Sequence, residues 1–556
     1  MMAHRFSTTT NITTTTGPST ASFASAVLAL TVVVATASAC VSTQVVKGGP
    51  DPRAGHEPTP AALPAKAVAL KAVQDRSAAD PLVNVRVVFL SGTADDPPGR
   101  EGLTALTARL MAEATADLDA SALADALFPM AAELSVQVDK DATVFVGRVH
   151  RDHEKAFLKL FGDVLARPRL ATSDFERLRD EQKAFLTSTL RTGNDEALQR
   201  EGLEALIYDD ARLFGREPSA PRHPYAHTPT GTVTGLSAIT LDDVRRHKDA
   251  VFTVDRAVVG IGGGASDAFV ADVEALVRSL PTSKASRAPV TAPPPPATSQ
   301  MVVVEKPSAG TAISVGFALP TLSRSHADYP AMKLAETWFG EHRNLIGHLF
   351  HSMREVRGLN YGDYAYVEHF VEEPGGTFER LNIPRRSQYF SMWIRPVEHK
   401  SRLFALRMTA WELQAFVKNG IPDDVAFEKT RSFVAGYWPS KEQQPMRRLG
   451  YAMDAAITGQ PFDRAGLLER VRALTRADVN AAIARHLRAD RLSWVVVTQD
   501  AGAFVDGIIN NVPAPMAYSG AVPADVVEDD KAIAAVDLGL DRGTITVVPP
   551  TGLFER

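Results

Sequence analysis

Residues 92–115 read GTADDPPGREGLTALTARLMAEAT, a turn rich in Gly and Pro that leads into a helix starting near Gly102. On that helix the side chains of Ala105, Ala108 and Arg109 share one face, because residues three and four apart are neighbours there. Alanine carries no donor atom, and the arginine guanidinium is a fixed positive charge. This face therefore offers nothing that binds a metal cation, and Arg109 would repel one.

The same stretch resembles the opening of the insulinase-type metallopeptidases (family M16, inverzincins), in which a helix carries the motif H-x-x-E-H. In that motif two histidines hold one zinc ion, and the glutamate polarises the attacking water. When Gly102 is aligned with the family's Gly-Leu pair, the motif positions fall on Ala105, Ala108 and Arg109. The resemblance predicts the family's fold but not its cofactor, so we expect no zinc and no catalytic residues here.

The family takes its third zinc ligand, a glutamate, from a helix further along the chain. Here that helix is predicted to start at Ser173, with Glu176 three residues later at capping-box spacing. It contains Glu181, and residues 182–194 contain no Asp or Glu. One carboxylate cannot hold zinc alone.

Histidines elsewhere offer two alternative metal sites. His150 and His153 precede a glutamate in the wrong order for the family. His348 and His351 lie three apart on a helix predicted over residues 329–356. Histidine pairs of this kind are mostly solvated or packed in a core, so we take both groups as structural, with His342 two turns earlier on the same predicted helix.

Residues 349–361, LFHSMREVRGLNY, resemble the family's L-R-E-x-R-G-L-x-Y segment. In the family, the arginine and tyrosine of this segment reach the substrate beside the metal. The resemblance therefore implies that Arg357 clamps a peptide carbonyl or carboxylate and that Tyr361 donates to a developing oxyanion. The alternative is that Arg357 pairs with Glu355 or Asp363 while Tyr361 packs in the core.

An internal repeat is visible without any outside comparison. Residues 236–244, LSAITLDDV, recur as residues 471–479, VRALTRADV, and each copy is followed by an Asp-Arg pair and an apolar strand. Thr240 and Thr475 each precede a helix with Asp three residues later, which is a capping pattern. Because the strand after the helix recurs as well, the repeat indicates a duplicated chain.

Each half mixes hairpin strands, such as those around the turn at Asp139, with separate helices. This pattern predicts an α+β fold of two homologous M16-like halves rather than a doubly wound sheet. The family resemblance adds a chamber between the halves that holds a peptide. We predict a signal peptide (1–39), a flexible tether (40–64), an N-terminal half (65–283), a Pro-rich linker (284–300), a C-terminal half (301–515) and a tail (516–556). The tail either packs back on the body or binds a partner.

The N-terminal residues predict export. An apolar run over residues 23–34 precedes small residues and Cys40, the single cysteine of the 556-residue chain. This arrangement resembles a bacterial lipobox, so we expect lipidation of Cys40. The alternative is an ordinary secretory signal. We place the protein in the bacterial cell envelope, on the periplasmic side, and Val41 favours the outer membrane over the inner one. The formal net charge of −5 argues against nucleic acid as a partner.

Some bacterial members of the family divide the work between a chain with H-x-x-E-H and a zinc-less sister. The resemblance thus implies a membrane-anchored pseudoprotease subunit that binds peptide and supports a zinc-bearing M16-type peptidase through Arg357 and Tyr361. A second hypothesis is a non-catalytic peptide-binding or assembly lipoprotein without such a partner. A third is an active zinc metallopeptidase with non-standard ligands.

Overall fold

A computed structural model describes most of the chain after the predicted signal and tether. The described residues are 70–208, 211–214, 222–283, 287, 289–319, 322, 324–459, 464–518 and 520–556. Cys40, the signal peptide and the tether lie outside them. Among the helices of the described residues, none combines the length and the apolar character needed to cross a membrane.

The first half is built on a five-stranded sheet with the order β1-β5-β2-β4-β3. Its strands are β1 (Val73–Arg76), β2 (Leu82–Phe89), β3 (Glu133–Val138), β4 (Thr143–His150) and β5 (Ala257–Gly263). Its helices are α1 (Leu103–Glu113), α2 (Ala120–Leu127), α3 (Glu154–Ala166), α4 (Thr172–Ala184), α5 (Asp195–Ile207), α6 (Val233–Ala238), α7 (Leu241–Val251) and α8 (Asp267–Arg278). Only β1 and β5 run parallel; the other neighbours are antiparallel.

The second half repeats this plan. Its strands are β6 (Gln300–Glu305), β7 (Thr311–Leu319), β8 (Asp363–Tyr366), β9 (Gln388–Val397) and β10 (Ser493–Thr498). Its helices are α9 (Tyr329–Gly340), α10 (Arg402–Asn419), α11 (Asp424–Lys441), α12 (Pro445–Ile457), α13 (Arg464–Ala473), α14 (Arg476–His486) and α15 (Ala501–Ile509). The sheet order β6-β10-β7-β9-β8 matches that of the first half strand for strand.

The matching topology confirms the predicted α+β fold with two homologous halves. The repeated segments occupy equivalent places: Thr240 caps α7 and Thr475 caps α14, and in both cases the box is closed by the Asp three residues on. The strands that follow, β5 and β10, hold equivalent positions in their sheets. Helices α4 and α11 occupy equivalent places in the order of elements. Each carries a buried phenylalanine, Phe175 in α4 and Phe427 in α11.

Two equivalent helices are exchanged between the halves. Helix α5 of the first half packs on β7 and β10 of the second sheet, and α12 of the second half packs on β1 and β5 of the first. Small residues permit the close approach: a Cβ at Gly202 would lie 3.2 Å from Val495, and one at Gly260 would collide with Met453. Each sheet thus buries one face against a helix from the other half, which makes the halves interdependent.

The C-terminal tail packs back on the body, which decides the alternative that the sequence left open. Helix α16 (Ala524–Ala534) lies against α10, and β11 (Ile545–Val548) adds a parallel strand beside β6. The last residues reach the first half, where Leu553 and Phe554 join its hydrophobic core and Arg191 pairs with Glu555. The tail therefore spans both halves.

Two local predictions were wrong. The helix expected over residues 329–356 ends at Gly340, and a separate π-helical turn follows at Phe350–Glu355. The positive φ of Arg343 interrupts the helical path between them. Helix α4 begins at Thr172 with Ala171 as N-cap, so Ser173 does not cap it.

Candidate functional site

Helix α1 carries the three positions that hold the zinc motif in the resembling family. Ala108 is fully buried in the hydrophobic core, Ala105 is nearly so, and Arg109 reaches towards α4. There the Arg109 Nη2 donates to Glu181 Oε2 at 2.9 Å. The hydrogen bonds of Glu181 to Arg177 and Arg109 lower the pKa of its carboxyl. Two alanines and a paired arginine do not fit a zinc ion.

The start of α1 is fixed by other contacts. Asp96 accepts hydrogen bonds from the backbone N–H of Gly102 and of Thr104, each at 2.7 Å. Gln182 on α4 is buried and donates from Nε2 to the Thr230 carbonyl at 2.7 Å. Gly102 has a φ of +102°, which favours glycine at this turn. Helices α1 and α4 are thus joined by the hydrogen bonds of Gln182 and by two ion pairs, Arg109–Glu181 and Arg177–Glu113.

The two predicted substrate-binding residues lie in different environments. Arg357 is buried, and its Nε donates to Asp530 of the tail at 2.8 Å. Neither Glu355 nor Asp363, the partners expected in the structural alternative, takes that position. Tyr361 is 67% exposed rather than packed in the core, with the Arg354 guanidinium 4.3 Å from its ring centre. Among the described contacts, no residue contacts both the Arg357 guanidinium and the Tyr361 ring.

A buried cluster of charges joins the halves at the β3–β4 turn. Arg385 of the second half donates to both carboxylate oxygens of Asp139, at 2.6 and 2.7 Å, and to Glu204 at 2.8 Å. Arg386 donates to Asp141 at 2.6 Å. The sequence predicted an ordinary hairpin turn here, yet Asp139 and Asp141 are buried. Arg385 and Arg386 lie more than 240 residues further along the chain, so no local sequence pattern indicates the cluster.

Burial and pairing set the ionisation of this cluster. Burial raises the pKa of Asp139, but the charge interactions and hydrogen bonds of this carboxyl, chiefly those with Arg385, together outweigh burial and hold that pKa below its usual range. Burial lowers the pKa of His369 to about 4, and Arg385 acts in the same direction, so this imidazole is neutral at pH 7. Burial next to Glu204 raises the pKa of Glu201 to about 7.

The histidines named from the sequence do not form one metal site in the described residues. His342 contacts Glu372, His348 contacts Glu412 and His351 contacts Glu355. Each histidine therefore has a separate carboxylate partner.

A different group, which the sequence reading missed, consists of His326, Asp328 and His486. Its ligand atoms lie within 4.8 Å of one another, close enough in principle for a metal ion. Arg485 makes a bidentate ion pair with Asp328, and His486 shares that carboxylate at 2.8 Å. The carboxylate is therefore already satisfied without a metal. The spacing of 158 residues between Asp328 and His486 hid the group from the sequence.

The described residues also enclose a cavity of about 720 Å³ in the second half. Its walls come from α9, α11, α12, α13 and the connection between β8 and β9. It is lined by aromatic rings together with acidic and basic side chains. Arg357 and Tyr361, the substrate contacts predicted from the sequence, do not line this cavity. His342 does line it.

Two family models match the chain. Residues 71–203 match the model for the insulinase peptidases of family M16, and residues 238–376 match the model described as the peptidase M16 inactive domain. The first match covers α1 and α4, and the second covers α7, β5 and α8 of the first half together with the start of the second half.

Known proteins with similar sequence and fold include both named proteases and a non-peptidase. The chain is 24% identical over 301 residues to an uncharacterized zinc protease of Mycobacterium leprae, covering 53% of this chain and 63% of that protein, under two thirds of its length. It is 19% identical to the non-peptidase homolog YmxG of Helicobacter pylori, over 75% of this chain and 89% of that one. A crystal structure of a peptidase M16 inactive domain from Pseudomonas fluorescens has a TM-score of 0.65 at 20% identity, covering 78% of this chain and 98% of that one.

Proposed function

The chain belongs to the insulinase-type peptidase family M16, and from this premise we propose that it is a non-catalytic subunit that binds peptide and supports a zinc-bearing M16 partner. The likeness to a non-peptidase homolog and to an inactive-domain structure supports a non-catalytic member. The observation that carries the proposal is the Arg109–Glu181 pair, which stands where the family's metal ligands would be. The fold around it is intact.

Peptide binding is supported by the edge of the first-half sheet. Strand β3 is the last strand of that sheet and lies beside α1. An edge strand presents N–H and C=O groups that an extended peptide can pair with, which is the β-augmentation mode of recognition. A chain that keeps this edge and lacks metal ligands is suited to hold a peptide without cutting it.

We propose that Arg357 and Tyr361 contact the peptide or the partner, and that Arg357 does so only after its own contact with the tail is broken. Tyr361 is exposed and available to a ligand. The Arg357 guanidinium is engaged by Asp530, so it can reach a peptide only when the tail moves away from it. We further propose that the protein is anchored in the cell envelope through lipidated Cys40, as the sequence predicts.

The proposal is tested by mixing the purified chain with an M16 peptidase of the same organism that has an intact H-x-x-E-H. We expect no peptide hydrolysis by the chain alone and a several-fold increase in hydrolysis by the peptidase when the chain is added. Hydrolysis by the chain alone that a chelator abolishes would overturn the proposal. An unchanged peptidase rate would overturn the partner role and leave the second hypothesis, a peptide-binding lipoprotein, which the second-half cavity favours.

A further inference from the structure

One long connection borders the second-half cavity. Strands β8 and β9 are joined by residues 367–387, whereas their counterparts β3 and β4 are joined by residues 139–142. Long connections without helices or strands in a compact domain are uncommon and are usually functional. This one supplies a wall of the cavity through Phe378 and Arg385.

The connection is fixed in place, so the cavity is formed before any ligand arrives. Asn382 is buried, donates to the Gly450 carbonyl and to Asp454 on α12, and accepts from Arg86 of the first half at 2.6 Å. Arg385, a few residues on, is anchored in the buried charge cluster between the halves. A loop held at two buried points in this way keeps a constant wall.

The cavity lies at the helix pair that corresponds to the degenerate metal site. Helices α9 and α11 line it and are the counterparts of α1 and α4. In the first half those helices are closed together by Gln182 and by the Arg109–Glu181 pair. In the second half, Lys333 of α9 and Trp438 of α11 face a shared space.

Several charged residues of the lining are paired with one another. Arg324 pairs with Asp454, and Lys333 pairs with Glu336. Lys441 lies 3.3 Å from Glu379. Because these charges neutralise one another, the cavity offers no excess charge to a phosphate-rich ligand.

Aromatic rings give the lining its apolar character. Tyr366 and Phe370 stack with ring centres 4.4 Å apart on one side. Phe378 and Tyr437 lie with ring centres 6.5 Å apart on another, next to Trp438. Ring faces of this kind bind aromatic and large aliphatic side chains, and polar groups between them fix orientation.

We propose that this cavity binds a short peptide segment through an aromatic or large aliphatic side chain. The volume suits this ligand, because sites for small ligands span roughly 300–1,000 Å³. The proposal rests on the peptide-binding part of the function above and adds where the peptide is held and which side chains it carries.

The test is titration of the full chain with blocked tripeptides, followed by calorimetry. The probes are acetyl-Ala-Phe-Ala-amide and, for comparison, the same peptide with Asp in the centre. We expect the Phe peptide to bind more tightly. Ala455→Trp, which fills the cavity, should weaken binding by about tenfold or more, and so should Phe378→Ala, which removes part of the aromatic wall. The matched control is Ala271→Trp, at an exposed position of α8.

Equal affinity for both peptides, or unchanged binding in both cavity variants with native circular dichroism, would overturn the inference. In the second case peptide binding itself would stand, and the edge strand β3 would be the remaining site. Stimulation of the partner peptidase is measured separately. If the chain stimulates the partner but binds the peptides outside the cavity, this inference fails while the proposed function stands.

Discussion

Arg109 Nη2 lies 2.9 Å from Glu181 Oε2, across the two helices that carry the metal ligands in active members of the family. Both side chains are partly exposed, at 37% and 47%, so their attraction stabilises the fold by no more than about 1 kcal/mol. The pair matters more for what it excludes. A fixed guanidinium charge beside the remaining carboxylate leaves no place for a divalent cation.

The position of Glu181 leads to a prediction about metal binding. In the sequence, Glu181 is the last carboxylate before residues 182–194, which have none, and no contact between Glu181 and α1 is predicted. The structure instead puts Glu181 within reach of residue 109. We therefore expect the Ala105→His/Arg109→His variant to bind about one zinc ion per chain through two imidazoles and Glu181, without peptidase activity. Zinc content by mass spectrometry checks this.

The control for that experiment is Glu181→Gln in the same background, which removes the third ligand. We expect most of the bound zinc to be lost in it. Zinc that is retained at the same stoichiometry would show that Glu181 is not a ligand, and His326 would then be the next residue to replace.

Ala108 explains why full restoration of the motif is difficult. It has no exposed surface and belongs to the hydrophobic core of the first half. We expect Ala108→Glu to lower the free energy of unfolding by about 3 kcal/mol, because it buries a carboxylate without a partner. Urea denaturation measures the change. Ala124→Glu, on an exposed position of α2, should change stability by less than about 0.5 kcal/mol. Equal losses in the two variants would contradict the assignment of Ala108 to the core.

The buried cluster should make Arg385 one of the most sensitive positions in the chain. Its side chain is fully buried and holds Asp139 and Glu204 at once. Arg385→Met removes the guanidinium that two buried carboxylates share, so we expect a loss of roughly 3–5 kcal/mol in the free energy of unfolding. Arg542→Met breaks an exposed pair with Asp506 and should cost less than about 1 kcal/mol. Similar losses for both would mean that the cluster does not couple the halves.

Acid should destabilise the protein through its neutral histidines. Burial lowers the pKa of His247, His342 and His369 to about 4, against about 6.5 in an unfolded chain. The unfolded state therefore takes up protons first as the pH falls. The stabilising contribution is complete above about pH 6.5 and is lost progressively towards pH 4.

Unfolding in urea at pH 7 and at pH 5 measures this effect. His369 faces Asp139, Glu204 and Arg385, and its share of the loss over that interval is on the order of 2 kcal/mol. His369→Gln should therefore show a smaller drop in stability than the wild type, and the exposed His153→Gln the same drop as the wild type. An identical drop in all three proteins would refute the role of His369.

The tail contact of Arg357 makes a further prediction. Asp530→Asn removes the charge that holds Arg357, so α16 should detach more often and the tail should be cut faster in limited proteolysis. Asp525→Asn, at an exposed position of the same helix, should leave the cleavage rate unchanged. Equal rates in both variants would show that the Arg357–Asp530 pair does not hold the tail.

The parts of the fold that local patterns encode were predictable. The capping boxes at Thr240 and Thr475 depend on residues three apart, and they revealed both the helices and the duplication. Helices α5 and α12 were missed. Each packs on the sheet of the opposite half, so its burial depends on contacts that no stretch of sequence displays.

The candidate site divides in the same way. The loss of metal ligands at Ala105, Ala108 and Arg109 is visible in the sequence because the motif is contiguous. The partners of Arg357 and Arg385 are 173 and 246 residues away, so only the folded chain reveals them. The cavity, too, depends on how residues 367–387 fold back over α9.

The zinc content of the purified full chain, after dialysis against trace zinc, tests the central claim most directly. A non-catalytic M16 member with Arg109 paired to Glu181 should retain no stoichiometric zinc and should hydrolyse no peptide by itself. About one zinc ion per chain, together with peptide hydrolysis that a chelator abolishes, would contradict the account.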